Sequence, residues 1–418
     1  MVRHLSFFEA LASLDQDSPS WAPTLAGLGV LGLIDAARED RSMIDADWTG
    51  VRAVADSVAA LREGHSIRRP LMRVVDELRG AGPSWSKVNE SLFAYGRALD
   101  LDGNWSLAVD VFDMVADIAR AERDPQLAID ATTALGGAAR RSGDWDRSAE
   151  GYAEAAHLAE TLGDKASGLT VRVGTANTQM ARGNLPAAQS IFNEVIIEAE
   201  KSGLAAVSSL AYHGSASIAH LQRRYSDAVR LAYKALETST SPTAKDNIMS
   251  DLAAALCEMG IHSAARDAYL ITSMTSRYQW VRWQANVNLM ELAAIDEIED
   301  AFEKYAGELR NAALDPRLRS YFLLYYGEGC LGFGREEEGL KFIAEARDYA
   351  TANKIYQVAF DAERALATGE KEVRAREAAN VWTEAAVPDE ITGVVAALGQ
   401  LREAAFSSLP VDERIQEV

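Results

Sequence analysis

Cysteine is nearly absent from this chain. The two that occur, Cys257 and Cys330, stand alone and form no CxxC pair. A disulfide framework or a Cys-based zinc site is therefore not expected, and a reducing, cytoplasmic setting fits. Proline is also scarce, at 10 residues in 418, so little in the chain interrupts a helix. Long apolar runs are missing. The longest candidate, residues 25–34, is about half of the ~20 residues a bilayer span needs. It holds three glycines and acidic residues follow it, so it reads as a buried helix. The opening residues, Met1 to Glu9, contain no apolar signal core. Catalytic signatures are lacking too: there is no GxSxG, HExxH or Walker A loop. Gly27, Gly29 and Gly32 miss the dinucleotide-binding spacing and follow no strand pattern, so helix packing is their expected role. His213 and His220 fall seven apart on one helix face, but no third metal ligand accompanies them. Cys257 reads as a small buried thiol. No cofactor, no metal and no enzymatic activity are expected.

The chain is 48% hydrophobic and 25% charged, the composition of a folded protein. Its formal net charge is −20. Residues 1–88 hold 10 Lys+Arg and 12 Asp+Glu, so −18 of that charge falls on the remainder. Such a surface repels phosphate backbones, which argues against nucleic acid as a partner. Arg62, Arg68, Arg69, Arg73 and Arg79 cluster in the first part and read as a solvated helix face.

The positive content of the sequence is a recurring turn. Gly103-Asn104-Trp105 returns as Gly143-Asp144-Trp145 and as Gly183-Asn184-Leu185, each 40 residues on. After each turn the same pattern follows: Ala108, Phe112, Val115; Ala149, Tyr152, Ala155; Ala188, Phe192, Val195. Residues spaced by three and four share one helix face. Glycine permits the left-handed backbone between two antiparallel helices. Gly96 and Ala108 let the helices approach, and Phe112 is expected to fill the gap to the next repeat. Later copies are expected at Arg223-Arg224-Tyr225, at Gly260, near Asp296, at Gly334 and at Gly369, the last with Ala375 and Ala379. Before the array, stripes such as Leu5, Phe8, Leu11 and Val51, Val54, Val58 predict three or four packed helices.

Tyr95-Gly96-x-x-Leu99 with Gly103, Ala108 and Phe112 resembles the tetratricopeptide repeat, as do Gly136, Gly143, Ala149 and Tyr152. The period is longer than that family's usual 34 residues or so. The resemblance implies an all-α fold: an N-terminal helical bundle over 1–88, then seven or eight helix pairs over 89–380 in a right-handed superhelix. A capping helix and tail would fill 381–418, covering the last repeat's apolar edge.

The resemblance also implies a function. In that family the first helix of each pair (helix A) lines a concave groove that binds a protein or peptide. Its contact positions, placed by the turn residue, are Phe93, Arg97, Asp130, Arg140, Asn177, His213, Ser217, His220, Asn247, Ser250, Trp283 and Asn286. Asn177, Asn247 and Asn286 stand out, because an amide can both donate to and accept from a peptide backbone. The layout is also similar to that of Rap-type and arbitrium-type peptide receptors, which makes a peptide-gated regulator the second reading. An enzyme subunit and a homo-oligomeric scaffold are further alternatives. The aromatic residues Tyr278, Trp280, Trp283, Tyr321, Phe322, Tyr325 and Tyr326 form another candidate surface, with burial between helices their commoner use.

Overall fold

A computed structural model describes residues 3–39, 49–79, 84–312, 314–353, 355–378 and 385–408. Among these residues all regular structure is helical. The chain divides into two compact units, residues 1–199 and 200–418.

The first unit opens with four helices: α1 (Leu5–Ser13), α2 (Trp21–Glu39), α3 (Thr49–Ala59) and α4 (Arg68–Leu78). Residues 25–34 lie inside α2, where Val30, Leu31 and Ile34 are fully buried. The glycines of α2 act in packing: a methyl group on Gly27 would come within 2.0 Å of the Tyr95 hydroxyl. Three helix pairs follow: α5 (Trp85–Leu101) with α6 (Trp105–Ala121), α7 (Pro125–Ser142) with α8 (Trp145–Leu162), and α9 (Lys165–Ala181) with α10 (Leu185–Lys201). One core runs without interruption from Phe7 through Val58, Tyr95 and Phe112 to Ala138. The opening helices thus share their core with the first repeats.

The turns explain the regularity. Gly103, Arg123, Gly143, Gly163, Gly183, Gly203 and Arg223 all have positive φ, between 58° and 83°. They are 20 residues apart. The expected 40-residue period is therefore two near-identical half-steps, one within each pair and one between pairs. At Gly103 the N–H of Asn104 bonds back to the carbonyl of Leu99 at 2.9 Å, which satisfies a carbonyl the ended helix leaves over. The same five-residue closure recurs from Asp124 to Ala119 and from Asp144 to Ala139. The residue after the turn then caps the next helix: Asp124, Asp144 and Asp164 accept from the N–H groups of Leu127, Arg147 and Ser167.

Phe112 is fully buried. It fills its own pair, 5.5 Å from Phe93 and against the bare face of Gly96, where a methyl group would sit 2.6 Å from the ring. Tyr152 bridges, lying against Gly136 of its own pair and Gly174 of the next.

The second unit continues with α11 (Ala205–Leu221) and α12 (Tyr225–Thr238), α13 (Pro242–Glu258) and α14 (His262–Thr275), α15 (Gln279–Ile295) and α16 (Glu299–Arg310), and α17 (Pro316–Gly332) and α18 (Glu336–Ala352). Here the step shortens. The left-handed turns at Arg223, Gly260, Glu297 and Gly334 are 37 residues apart. The second helices of the pairs account for part of the difference: α12 and α14 have 14 residues and α16 has 12, against 17 for α10.

Two expectations are corrected near the C-terminus. No turn occurs at Gly369, because α19 (Tyr356–Ala378) runs straight through it. Ala379, assigned to that copy, lies outside the described residues. The closing helix α20 (Thr392–Ser408) does not cover the last repeat. It folds back onto α14, and the short 3-10 turn before it (Asp389–Ile391) packs on α12. Ile391 and Leu398 are fully buried there, Arg402 pairs with Asp267 at 2.8 Å, and the N–H of Ala385 bonds to the carbonyl of Gly260. The amphipathic pattern of α20 was legible; its partner depends on a contact 135 residues away in sequence. The tail from Pro410 to Val418 lies outside the described residues.

Candidate functional site

Within each A helix, residues 13, 10, 6 and 3 before the left-handed turn lie along one side, since they are three or four apart. In the first unit this row contains Phe93, Arg97, Asp130, Arg140 and Asn177. Arg97 and Asp130 are exposed, and Phe93, Arg140 and Asn177 are half-buried. The row is polar but locally satisfied at several points. Gln126 donates to Asp130 at 3.4 Å, and Arg141 clamps Asp100. Although Asp130 is exposed as a residue, the helix around its carboxyl partly desolvates it and pushes it up, with Asp164 and Asp124 adding and the amide of Gln126 and charge of Arg97 opposing. Tyr152 is raised by burial, with Arg140 and Arg141 opposing. Asn177 has no side-chain hydrogen bond among the described residues.

In the second unit the row starts with His213, Ser217 and His220, all half-buried on α11. His213 is bonded to Asp251 of the next A helix at 2.7 Å. Ser217 donates to the carbonyl of His213, and His220 meets Tyr225 edge-on. Among the described residues no group of three His, Cys, Asp or Glu is arranged to hold a metal. On α13, Asn247 is exposed and Ser250 half-buried.

Trp283 and Asn286 do not belong to this row. They were placed from a turn at Asp296, whereas the left-handed residue is Glu297. One residue rotates a helix position by about 100°, and that rotation carries Asn286 inward. It is 8% exposed, accepts from Ser273 at 2.6 Å and donates to Glu308 at 2.8 Å. Its amide ties α14, α15 and α16 together and is buried away from the row. Trp283 packs half-buried against the core of the last repeats.

The corrected phase brings in two residues that the sequence reading missed, Glu291 on α15 and Glu328 on α17, each six residues before its turn. They occupy the register of Arg97, Asn177 and Ser217. The signal was present in the 37-residue spacing of Glu291 and Glu328 themselves, but a glycine search does not find a turn made by Glu297.

Glu291 has an unusual environment. Burial raises its carboxyl to about 8, and the charge acting on it is another carboxylate, Glu328. Around the pair stand Cys257, Tyr269 and Tyr325. Burial raises the Cys257 thiol to about 12, and Glu291, Glu258 and Asp296 add to that, against a hydrogen bond with Tyr269. Burial likewise raises the Tyr269 and Tyr325 hydroxyls, with Glu291 among the charges that add to it. The result is an A-helix face carrying a half-buried carboxyl on which, among the described residues, another carboxylate acts and no cation does. A cation entering there gains the Coulomb attraction of both carboxyls.

The second aromatic candidate divides. Tyr278 and Trp280 are exposed, at 42% and 44%. Phe322 and Tyr326 are core, and the Tyr326 hydroxyl is held by Arg310 at 2.5 Å and by Glu338 at 3.0 Å.

No family model matches the sequence, and no curated protein matches it. Among solved structures, the apo form of the quorum sensor NprR from B. thuringiensis is similar at 10% identity, over 87% of this chain and 91% of its own, with a TM-score of 0.36. A circular tandem repeat protein with novel repeat topology and enhanced subunit contact surfaces matches at 15% identity, over 86% of this chain and 85% of its own, with a TM-score of 0.18. No helix among the described residues is long and apolar enough to cross a membrane.

Proposed function

We propose that this helical-repeat protein is a non-enzymatic recognition module whose second unit holds a protein or peptide segment along its A-helix face, with a basic group of the ligand at Glu291. The observation that carries this reading is Glu291 itself. It lies half-buried on α15 in the row position of Arg97, Asn177 and Ser217; burial raises its carboxyl, Glu328 adds to that, and among the described residues no cation lowers it. An acid in that setting is costly to ionise alone and favourable to ionise beside a lysine, an arginine or an N-terminal amine. Exposed Asn247 on α13 and half-buried Ser250 offer neutral donors and acceptors along the same face, as an extended main chain requires.

Selection of a random peptide library on the immobilised full-length chain tests the proposal. Enriched peptides should carry Lys or Arg and should lose at least about tenfold in affinity to the Glu291→Gln protein, the scale set by removing one partner of a desolvated charge pair. Enrichment of acidic or purely apolar peptides, or indifference to Glu291→Gln, contradicts it.

A further inference from the structure

We infer that the groove between α4 and α5 is a carboxylate site, in which Arg69 and Arg73 hold an aspartate or glutamate side chain of an acidic peptide segment. All the residues involved belong to the first unit, so this stands or falls separately from the reading of Glu291.

The groove has a volume of about 250 Å³ and is lined by Arg69, Pro70 and Arg73 of α4 and by Glu90, Ser91 and Ala94 of α5. Drug-sized ligands fill about 300–1,000 Å³, so this space suits a single ligand group and the atoms beside it. Arg69 and Arg73 are four residues apart on one helix and therefore neighbours on one face. Both are exposed. Like charges at that spacing weaken a helix unless a carboxylate answers them. The chain has carboxylates in excess, 62 Asp+Glu against 42 Lys+Arg. Elsewhere in the first unit they are used in this way: Arg120, Arg141, Arg147 and Arg172 are each ion-paired. Arg69 and Arg73 have no ion pair or hydrogen bond among the described residues. Glu77, one turn beyond Arg73, is drawn to Lys87 of α5 instead, at 3.7 Å. The half-buried Ser91 hydroxyl also has no partner among the described residues, whereas Ser217 and Ser320 bond back to their own helices. Two guanidinia and a hydroxyl, each able to donate, thus line one groove with no acceptor from the protein engaged.

The charge of the lining selects among anions. Two arginines and Glu90 give two positive charges and one negative, a net of +1. One carboxylate neutralises that sum. A phosphate, at about −1.5 to −2, overshoots it and is repelled by Glu90. A peptide satisfies Glu90 as well, because its main chain brings N–H donors beside the acidic side chain. The negative charge of the remaining chain does not forbid an acidic ligand here, since at about 0.15 M salt exposed charges more than about 8 Å apart are largely screened.

Fluorescence anisotropy of a hexaglutamate carrying a neutral fluorophore, titrated with the whole chain at about 0.15 M salt, reads the outcome. The wild type should bind it with a Kd below about 1 mM. Arg69→Gln and Arg73→Gln should each weaken binding about threefold, the scale of an exposed ion pair, and the double variant about tenfold. Arg79→Gln removes the same charge just past the end of α4 and outside the groove, and should leave the affinity within about twofold. Ala94→Trp fills the groove without altering charge; it should abolish binding while circular dichroism stays unchanged, because Ala94 is exposed. The same peptide with one glutamate replaced by phosphoserine should bind no more tightly. Hexaglutamate left free by the wild type at about 1 mM overturns the proposal. So does binding that survives Ala94→Trp, or an equal loss from Arg79→Gln, which would make this a diffuse basic face. A clear preference for the phosphoserine peptide would make it a phosphate site and overturn the assignment to carboxylate.

Discussion

The Nδ1 of His4 lies 2.9 Å from Oδ1 of Asp110, and its Nε2 lies 3.1 Å from Asp35. In the protonated form both ring nitrogens can donate to these carboxylates, so the pair favours the imidazolium. It pins the N-terminal segment to α2 and to α6, and Arg3 on Asp35 and Ser6 on Asp110 complete the clasp. Burial by itself would lower the His4 pKa; the hydrogen bond and charge of Asp110, then those of Asp35, outweigh it and raise the value above 6.5. A group raised in the folded state adds stability that is complete below its unfolded pKa and is lost as pH rises through the folded one. Melting of the wild type between about pH 6 and 9 should therefore show a loss that His4→Gln lacks. The variant should be less stable below about pH 6.5, by about 2 kcal/mol, the scale of a charged hydrogen bond. Equal pH slopes for the two proteins would remove His4 from this role.

Glu291 gives a second pH signature in the absence of any ligand. Burial raises its folded pKa from 4.5 to about 8. The folded state thus holds a proton that the unfolded state has released, and stability falls as pH climbs from about 4.5 through 8. Glu291→Gln should flatten that part of the melting curve and should be the more stable protein at pH 9. Should the variant be the less stable one at pH 9, the carboxyl is compensated and the site is not as described.

The turns allow a conformational test free of packing effects. A methyl group at Gly143 would touch nothing within 4 Å, yet φ is 83°. Gly143→Ala should cost about 1–2 kcal/mol from the left-handed backbone alone. Arg223 pays that strain already, at φ 58°, so Arg223→Gly should be stabilising, by up to about 1 kcal/mol. Chemical denaturation of the two variants reads both signs.

These turns also mark where the sequence was legible. Gly103, Gly143 and Gly183 declared the repeat because a left-handed backbone favours glycine, and the all-α helical-repeat fold followed from them. Arg123, Arg223 and Glu297 adopt the same backbone without announcing it. The slip of one residue at Glu297 placed buried Asn286 in the row and left Glu291 out. The seat of α20 was illegible for another reason. Periodicity tells which face of a helix is apolar, and not which distant surface, here α14, will cover it.

That seat can be tested by magnitude. Leu398 is fully buried, so Leu398→Asp should release α20 and make it the first site of proteolysis. Asp267 and Arg402 pair with side-chain exposures of 16% and 41%. Solvent screens such a pair, so Arg402→Ala should cost less than about 1 kcal/mol and leave the helix docked. Release of α20 by Arg402→Ala, with Leu398→Asp still protected, would reverse this assignment of what holds it.

The most direct test of the recognition site is the pH dependence of binding for a lysine- or arginine-bearing peptide recovered by the library selection. A cation drawn to Glu291 must displace its proton, so affinity should rise between about pH 6 and 8 and level off above. Calorimetry in buffers of different ionisation enthalpy should record release of up to about one proton at pH 7, and Glu291→Gln should abolish both effects. Affinity that is flat across this range, with no proton released, would contradict the placement of the basic group at Glu291.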